Sequence, residues 1–138
     1  MSSEELRAVE LLDRVPYGHL ATSIRAMPFL VPARHIVADG GVLLRLHAVF
    51  DYERACCGSV VAYAADNLDS GSAALWSVQF TGTAEAVRPT GGELERFGPR
   101  PHRIDGEEFR PAYLRLEPRF ATVHTMDRFD EPSAPRAV

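Results

Sequence analysis

The chain contains no lysine: all 15 of its basic residues are arginines. Schiff-base chemistry, a lysine general base and the lysine of a Walker-type phosphate loop are therefore excluded. A GC-rich genome favouring arginine codons explains the bias without invoking function, and the exclusion holds either way. Cysteine is nearly as scarce. Cys56 and Cys57 are the only two and are adjacent, so a bond between them would close a strained ring. No CxxC and no His/Cys cluster at metal spacing accompanies them, and they read as buried thiols at the end of a short helix. His19, His102 and His124 show no metal-site spacing either. Basic runs are absent and the net charge is −4, which argues against a nucleic-acid partner. No apolar run reaches membrane-spanning length, so no membrane partner is expected. The opening Met1-Ser2-Ser3-Glu4-Glu5 is acidic with no apolar segment behind it; no leader is expected, and the expected compartment is the cytoplasm. Gly-x-Ser-x-Gly, paired carboxylates beside a base and a phosphate loop are all missing. No side chain reads as a nucleophile in its own right.

What is present is the composition of an ordinary globular protein, 46% hydrophobic and 25% charged over 138 residues. That length suits one domain with a real core. Residues 3–14 read as an amphipathic helix with Ser3 as N-cap, acidic Glu4 and Glu5 in its first turn, and Leu6, Val9 and Leu12 on one face. Val15-Pro16 ends it. Strands follow at Gly18 to Ile24, Phe29 to Val37 and Val42 to His47, the last two joined as a hairpin through Asp39-Gly40-Gly41. A helical turn or two spans Asp51 to Cys57. Val60 to Ala65 is continuously apolar and is expected to be fully buried. Leu75 to Val87 is a long strand in which Trp76, Val78, Phe80, Ala84 and Ala86 alternate with polar residues. Gly82 inside it marks a bend or a close backbone approach. Glu93 to Phe97 reads as a helical turn, and Pro111 to Val123 as the last strand. Residues 1–126 form the expected domain. The polar stretch 127–138 is expected to be a disordered tail. Mainly antiparallel strands at this length point to a closed or partly open barrel.

Three stretches, in this order and spacing, resemble one family. Gly18-His19-Leu20-Ala21-Thr22 is similar to its opening strand. Val31-Pro32 through Asp39-Gly40-Gly41-Val42 is similar to its central hairpin. Trp76-Ser77-Val78 through Gly82-Thr83-Ala84-Glu85 is similar to its long strand. The family is that of the pyridoxamine 5'-phosphate oxidase-like FMN-binding split β-barrels, and the resemblance covers roughly residues 4–124. It implies a six-stranded antiparallel split barrel with short flanking helices, forming a homodimer with two FMN molecules across the interface. Carried over, the cofactor-binding residues are Arg45, His47 and the Val49 to Arg54 loop, with Tyr52 and Arg54, from one subunit. Trp76 and Ser77 come from the other.

The loop departs from the family pattern. Ala48-Val49-Phe50-Asp51-Tyr52-Glu53-Arg54 has neither the glycine nor the lysine of the usual phosphate loop. Asp51 would repel a phosphate or serve as an N-cap that occupies the anion site itself. Arg45, on an otherwise apolar strand, reads as a phosphate or flavin contact or as the partner of Glu85 or Asp66. His47 reads as a donor to a flavin carbonyl or a reduced substrate, or as an exposed loop histidine. Trp76 reads as the cover of a ring-shaped ligand or as a plug in the dimer interface. Arg34 and His35 fall on opposite faces of their strand, and one of them must face the pocket or the interface. The resemblance implies an FMN-dependent oxidoreductase acting on a small molecule, in which the cofactor would carry the reaction. The alternative is a split-barrel module that has lost FMN and binds another flat ligand, a deazaflavin or haem, or only dimerises.

Overall fold

The computed structural model describes residues 2–48 and 52–127, with only the backbone of Tyr52 and Glu53. The segments of alternating polarity become strands: β1 (Tyr17–Ile24), β2 (Met27–Ala38), β3 (Gly41–His47), β4 (Val60–Asp66), β5 (Leu75–Ala86) and β8 (Pro111–Met126). Two short strands, β6 (Arg103–Ile104) and β7 (Glu107–Glu108), precede the last. Three helices flank them: α1 (Ser3–Leu12), α2 (Tyr52–Cys56) and α3 (Gly91–Phe97). The six long strands run antiparallel in the order β1-β2-β3-β8-β5-β4. Pairing of His19, Leu20 and Ala21 with Ala64, Tyr63 and Ala62 joins β1 to β4 and closes the ring. This is the expected six-stranded split barrel. No helix among the described residues is long and apolar enough to cross a membrane.

Inward-facing Leu20, Val31, Leu44, Leu46, Val78, Phe80, Leu114 and Leu116 fill the barrel. Each such side chain contributes about 1.5–3 kcal/mol by leaving water. The helix α1 covers one end with Ala8, Leu11 and Leu12. The expected face of Leu6, Val9 and Leu12 is thus rotated: Leu6 is exposed and Val9 is half-buried. Its N-cap is Ser2, whose hydroxyl accepts from Glu5 N–H, one residue before the expected Ser3. Continuous burial also falls on a different strand than expected. Along β4, buried Val61, Tyr63 and Ala65 alternate with more exposed neighbours. Along β3 every residue is buried, because α3 and the segment after it cover its outer face. Of the cysteines, Cys56 is buried and Cys57 exposed, both as free thiols. The expected tail falls on residues 128–138, outside the described residues.

Two glycines mark backbone crossings. A Cβ on Gly82 would stand 1.9 Å from the Glu117 carbonyl oxygen, where β8 carries one extra residue opposite Thr81 and Gly82. The close approach read from the sequence is this bulge. A Cβ on Gly18 would lie 2.4 Å from Ala64 O and 2.7 Å from the Tyr63 hydroxyl. That space admits a polar pair inside the barrel. Tyr63 and His35 are both fully buried, with the hydroxyl 2.5 Å from His35 Nδ1. His35 Nε2 lies 2.9 Å from the Leu12 carbonyl, which only accepts, so the partners assign the proton to Nε2. Nδ1 then accepts from Tyr63. The neutral ring ties the barrel interior to the end of α1.

Burial holds the His35 pKa below its ordinary value, with the nearby Arg34 guanidinium lowering it further and the Leu12 and Val15 carbonyls opposing. Above the unfolded-state pKa of roughly 6.5 the ring is neutral in both states. As pH falls below it, the unfolded chain takes up a proton that the folded chain resists, and stability drops. Melting curves between pH 7.5 and 5 should show this loss, and His35→Gln should flatten the slope; an unchanged slope would remove His35 as its source. Gly82→Ala should lower stability by roughly 1–3 kcal/mol, the usual range for overpacking, as read by denaturant melts. A variant as stable as the parent would show that the bulge yields freely.

Candidate ligand-binding site

Leu43, Arg45 and His47 occupy alternate positions on β3 and share its outer face. Leu43 packs with Ile36 and Phe97 beneath α3, forming a second small core outside the barrel. Arg45 stands opposite Arg34 of β2 in register. Both guanidiniums reach the C-terminal end of α3. Arg34 donates through Nη2 to Arg96 O at 3.1 Å and through Nε to Phe97 O at 3.2 Å. Its Nη1 also donates to the carbonyls of Pro16 and His35. Arg45 donates to Gly98 O at 3.0 Å and Pro99 O at 3.2 Å, with its guanidinium 5.4 Å from the Phe97 ring centroid. Cations at a helix C-terminus complement its dipole and orphan carbonyls. Arg45 therefore pairs with neither Glu85 nor Asp66: on the outer face of β3 it meets the carbonyls that α3 lays across it.

His47 ends the row at 6% exposure, so it is not an exposed loop histidine. The Arg110 N–H donates to its Nδ1 at 3.1 Å, leaving the proton on Nε2. Phe109 stacks on the ring at 5.4 Å and 24°. Glu107 is the nearest carboxylate, its Oε2 3.8 Å from Nε2, beyond hydrogen-bond reach. Arg45 Nε, on a side chain 4% exposed, and His47 Nε2 are buried without a hydrogen-bond partner. Orphaned buried donors are rare enough to need an explanation.

Both residues line a cavity of about 120 Å³, walled by Tyr17, Pro32, Ala33, Leu46, Pro101, Ile104 and Phe109 with Arg34 at its side. The walls are apolar and aromatic, and the two residues that carry unsatisfied buried donors are among those that line it. Such a site suits a flat, acceptor-bearing molecule. The structure thus brings together Arg45 and His47 and settles the Arg34/His35 question: Arg34 faces the cavity and His35 the core.

Trp76 and Ser77 lie elsewhere. Trp76 is 7% exposed within the single chain and belongs to the barrel core, so its ring is packed before any second subunit docks. It borders a cleft with Arg7, Leu11 and Asn67 under α1. Ser77, half-buried on the opposite face of β5, pairs with Asp66 and His124. Arg54 is exposed in the last turn of α2. The side chain of Tyr52, and Val49, Phe50 and Asp51 with the phosphate-loop question, lie outside the described residues. Sequence reasoning missed Phe109, Arg110 and Ile104, which the β6–β7 hairpin delivers. The available signal was Asp105-Gly106, both at positive φ (49° and 80°), the residue pair that a two-residue hairpin turn prefers.

Strand order and the outward-facing cavity define a split β-barrel. The chain belongs to the pyridoxamine 5'-phosphate oxidase family, whose profile matches residues 4–125. It is 38% identical over 85 residues to an uncharacterised protein of Mycobacterium tuberculosis, a match covering 58% of this chain and 56% of that relative, so it spans little more than half the relative's length. Among solved structures it is similar to an FAD binding protein from Mycobacterium smegmatis (TM-score 0.67, 23% identity, 91% of this chain and 98% of that one). It is also similar to an FAD and heme binding protein from the same organism (TM-score 0.67, 17% identity, 96% of this chain and 76% of that one). At these identities the two structures speak for the fold.

Proposed function

We propose that this protein is a homodimeric, FMN-dependent oxidoreductase acting on a small molecule, with the flavin held against the outer face of β3. The observation that carries the reading is a pair of buried, unpartnered donors, Arg45 Nε and His47 Nε2, on two residues that line one apolar cavity. Membership of the pyridoxamine 5'-phosphate oxidase family supports it, as does the likeness in fold to proteins described as binding FAD. A flavin ring offers carbonyl and ring-nitrogen acceptors on a flat apolar body, which is what this donor set and these walls fit. Bound there, a flavin supplies hydride or electron transfer. The chain's own residues hold its acceptors, exclude water, and keep a proton at His47 Nε2.

A single chain supplies only part of such a site. Its cavity of about 120 Å³ is well below the roughly 300–1,000 Å³ of pockets that enclose drug-sized ligands. The missing wall has a natural source in the uncovered sheet face. Leu30, Ala21, Ala62, Thr81 and Phe120 form one row across five strands, and Pro32, His19, Ala64, Gln79 and Thr122 the next. Neither row carries a carboxylate or an arginine, and Leu30 and Phe120 are 71% and 69% exposed. Pro32 and Tyr17 belong both to this face and to the cavity wall, so a second copy seated on it would border the site. Large apolar side chains left this exposed on a face without carboxylates or arginines suit an interaction surface.

The purified protein is expected to be yellow, or to quench FMN fluorescence at micromolar concentration, with FAD titrated in parallel. A colourless protein that leaves both flavins unaffected overturns the reading. His47→Phe keeps a ring against Phe109 but removes the donor, and should weaken FMN binding roughly tenfold, equivalent to one hydrogen bond of about 1.5 kcal/mol. Light scattering should give a dimer mass, and Leu30→Arg should yield a folded monomer with weakened flavin binding. A parent chain that is already monomeric, or a variant that stays dimeric, would remove this face as the interface.

A further inference from the structure

Among the described residues the β6–β7 hairpin pairs only with itself and adds no strand to the barrel. A lone two-stranded hairpin has little stability of its own. Its two roots are nevertheless firmly held. On one side Arg45 clasps the carbonyls of Gly98 and Pro99. On the other, Arg110 O accepts from Ala48 N–H at 2.7 Å, and the Arg110 side chain donates to Ala48 O at 3.3 Å, just ahead of β8. Between these roots residues 100–109 arch over the cavity, contributing Pro101, Ile104 and Phe109 to its wall. Within the arch the polar bonds are local: Phe109 N–H to His102 O, and the Arg103 side chain to Gly106 O. The ring contact between arch and barrel is made by Phe109. Phe109 stacks on His47, and His47 Nδ1 takes the Arg110 N–H at the root.

We propose that residues 100–109 are a flap over the ligand cavity and that His47 is its latch. One imidazole serves both jobs from opposite edges: Nδ1 and the ring face hold the flap, while the other edge of this cavity-lining residue carries the unpartnered Nε2–H. A ligand acceptor that takes the Nε2–H fixes the ring plane, and with it the surface on which Phe109 rests. Ligand binding and flap closure are then one equilibrium, since each favours the ring orientation the other needs. Glu107 sits 3.8 Å from the same nitrogen and is largely exposed. It is the group such a ligand displaces from the neighbourhood of Nε2 as the flap settles. The proposal rests on the cavity being the ligand site and adds to that reading how the ligand enters.

Hydrogen exchange on the full-length protein tests it, beginning without any ligand. Peptides covering 100–110 should exchange at least tenfold faster than those of the core strands β5 and β8. Phe109→Ala should accelerate the 100–110 peptides several-fold further while leaving β5 and β8 unchanged. Protection of 100–110 equal to that of the barrel strands, or no response to Phe109→Ala, overturns the flap. Saturating FMN should then slow exchange of 100–110 at least threefold in the parent chain and less in Phe109→Ala. FMN that binds by fluorescence without slowing these peptides overturns the coupling. FMN that does not bind at all overturns the flavin reading, and the ligand-free comparison still decides the flap.

Discussion

Two guanidiniums stand directly opposite one another in the sheet, Arg34 on β2 and Arg45 on β3. Like charges in that position destabilise a sheet, on the scale of the roughly 0.2–1 kcal/mol of other cross-strand pairs. The C-terminal end of α3 reverses the balance. Arg34 and Arg45 together make four hydrogen bonds to the consecutive carbonyls of Arg96, Phe97, Gly98 and Pro99. Hydrogen bonds to a charged group are worth about 1.5–3 kcal/mol each, and cations at a helix C-terminus add about 0.3–1 kcal/mol. The clamp therefore outweighs the repulsion several-fold. It is reciprocated from the helix, where Arg96 donates to Val37 O at 2.6 Å.

Much of the outer architecture depends on that clamp. It lays α3 across β2 and β3, so Phe97 covers Ile36 and Leu43 and the outer face of β3 becomes buried. It fixes Gly98 and Pro99 as the root from which the β6–β7 hairpin arches to Phe109 and His47. It also produces the leftover donor. With both terminal nitrogens of Arg45 committed to carbonyls, Nε is buried with no partner. Had Arg45 paired side-on with a carboxylate, through Nε and one terminal nitrogen, Nε would have been satisfied and the residues lining the cavity would carry one free donor fewer. The binding chemistry is thus a by-product of how the helix end is held.

The barrel was legible in the sequence because period-two alternation survives wherever one face is wet. Hence β1, β2, β5 and β8 were recognisable to within a few residues. The reading failed where burial had a second cause. Val60 to Ala65 is apolar on both faces, yet β4 is covered on only one; its outer Ala62 and Ala64 belong to the uncharged sheet face. Arg45 stood out on an otherwise apolar strand with Glu85 or Asp66 as candidate partners, yet its acceptors are the Gly98 and Pro99 carbonyls, 53 and 54 residues later, at the end of a helix that covers the strand. No local pattern encodes that contact. Gly82 was the opposite case: a lone glycine in a long strand announced a close crossing, and the crossing is there. At the cavity, Arg45 and His47 were singled out through the family resemblance, whereas Phe109 and Arg110 arrive through a hairpin whose mark in the sequence is Asp105-Gly106.

The donor pair also constrains what the cavity takes. Arg45 carries a fixed positive charge and no acceptor. His47 has Nδ1 occupied by the Arg110 N–H, so its free edge is a donor rather than a lone pair. A metal ion requires that lone pair, and the site as folded does not offer it. Apolar walls on the remaining sides disfavour a small, strongly hydrated anion, which would lose its water shell for only two hydrogen bonds. What satisfies both donors and the walls is a planar body with acceptors along one edge, whose hydration cost is low and whose faces match Phe109 and the prolines. The cavity in one chain is too small to enclose such a body. The uncharged face that begins at Pro32 and Tyr17 lies where an enclosing surface is needed. On the proposal of a dimer that closes the site, site and interface make a single demand on the sequence: that the rows from Leu30 to Phe120 carry no carboxylate and no arginine.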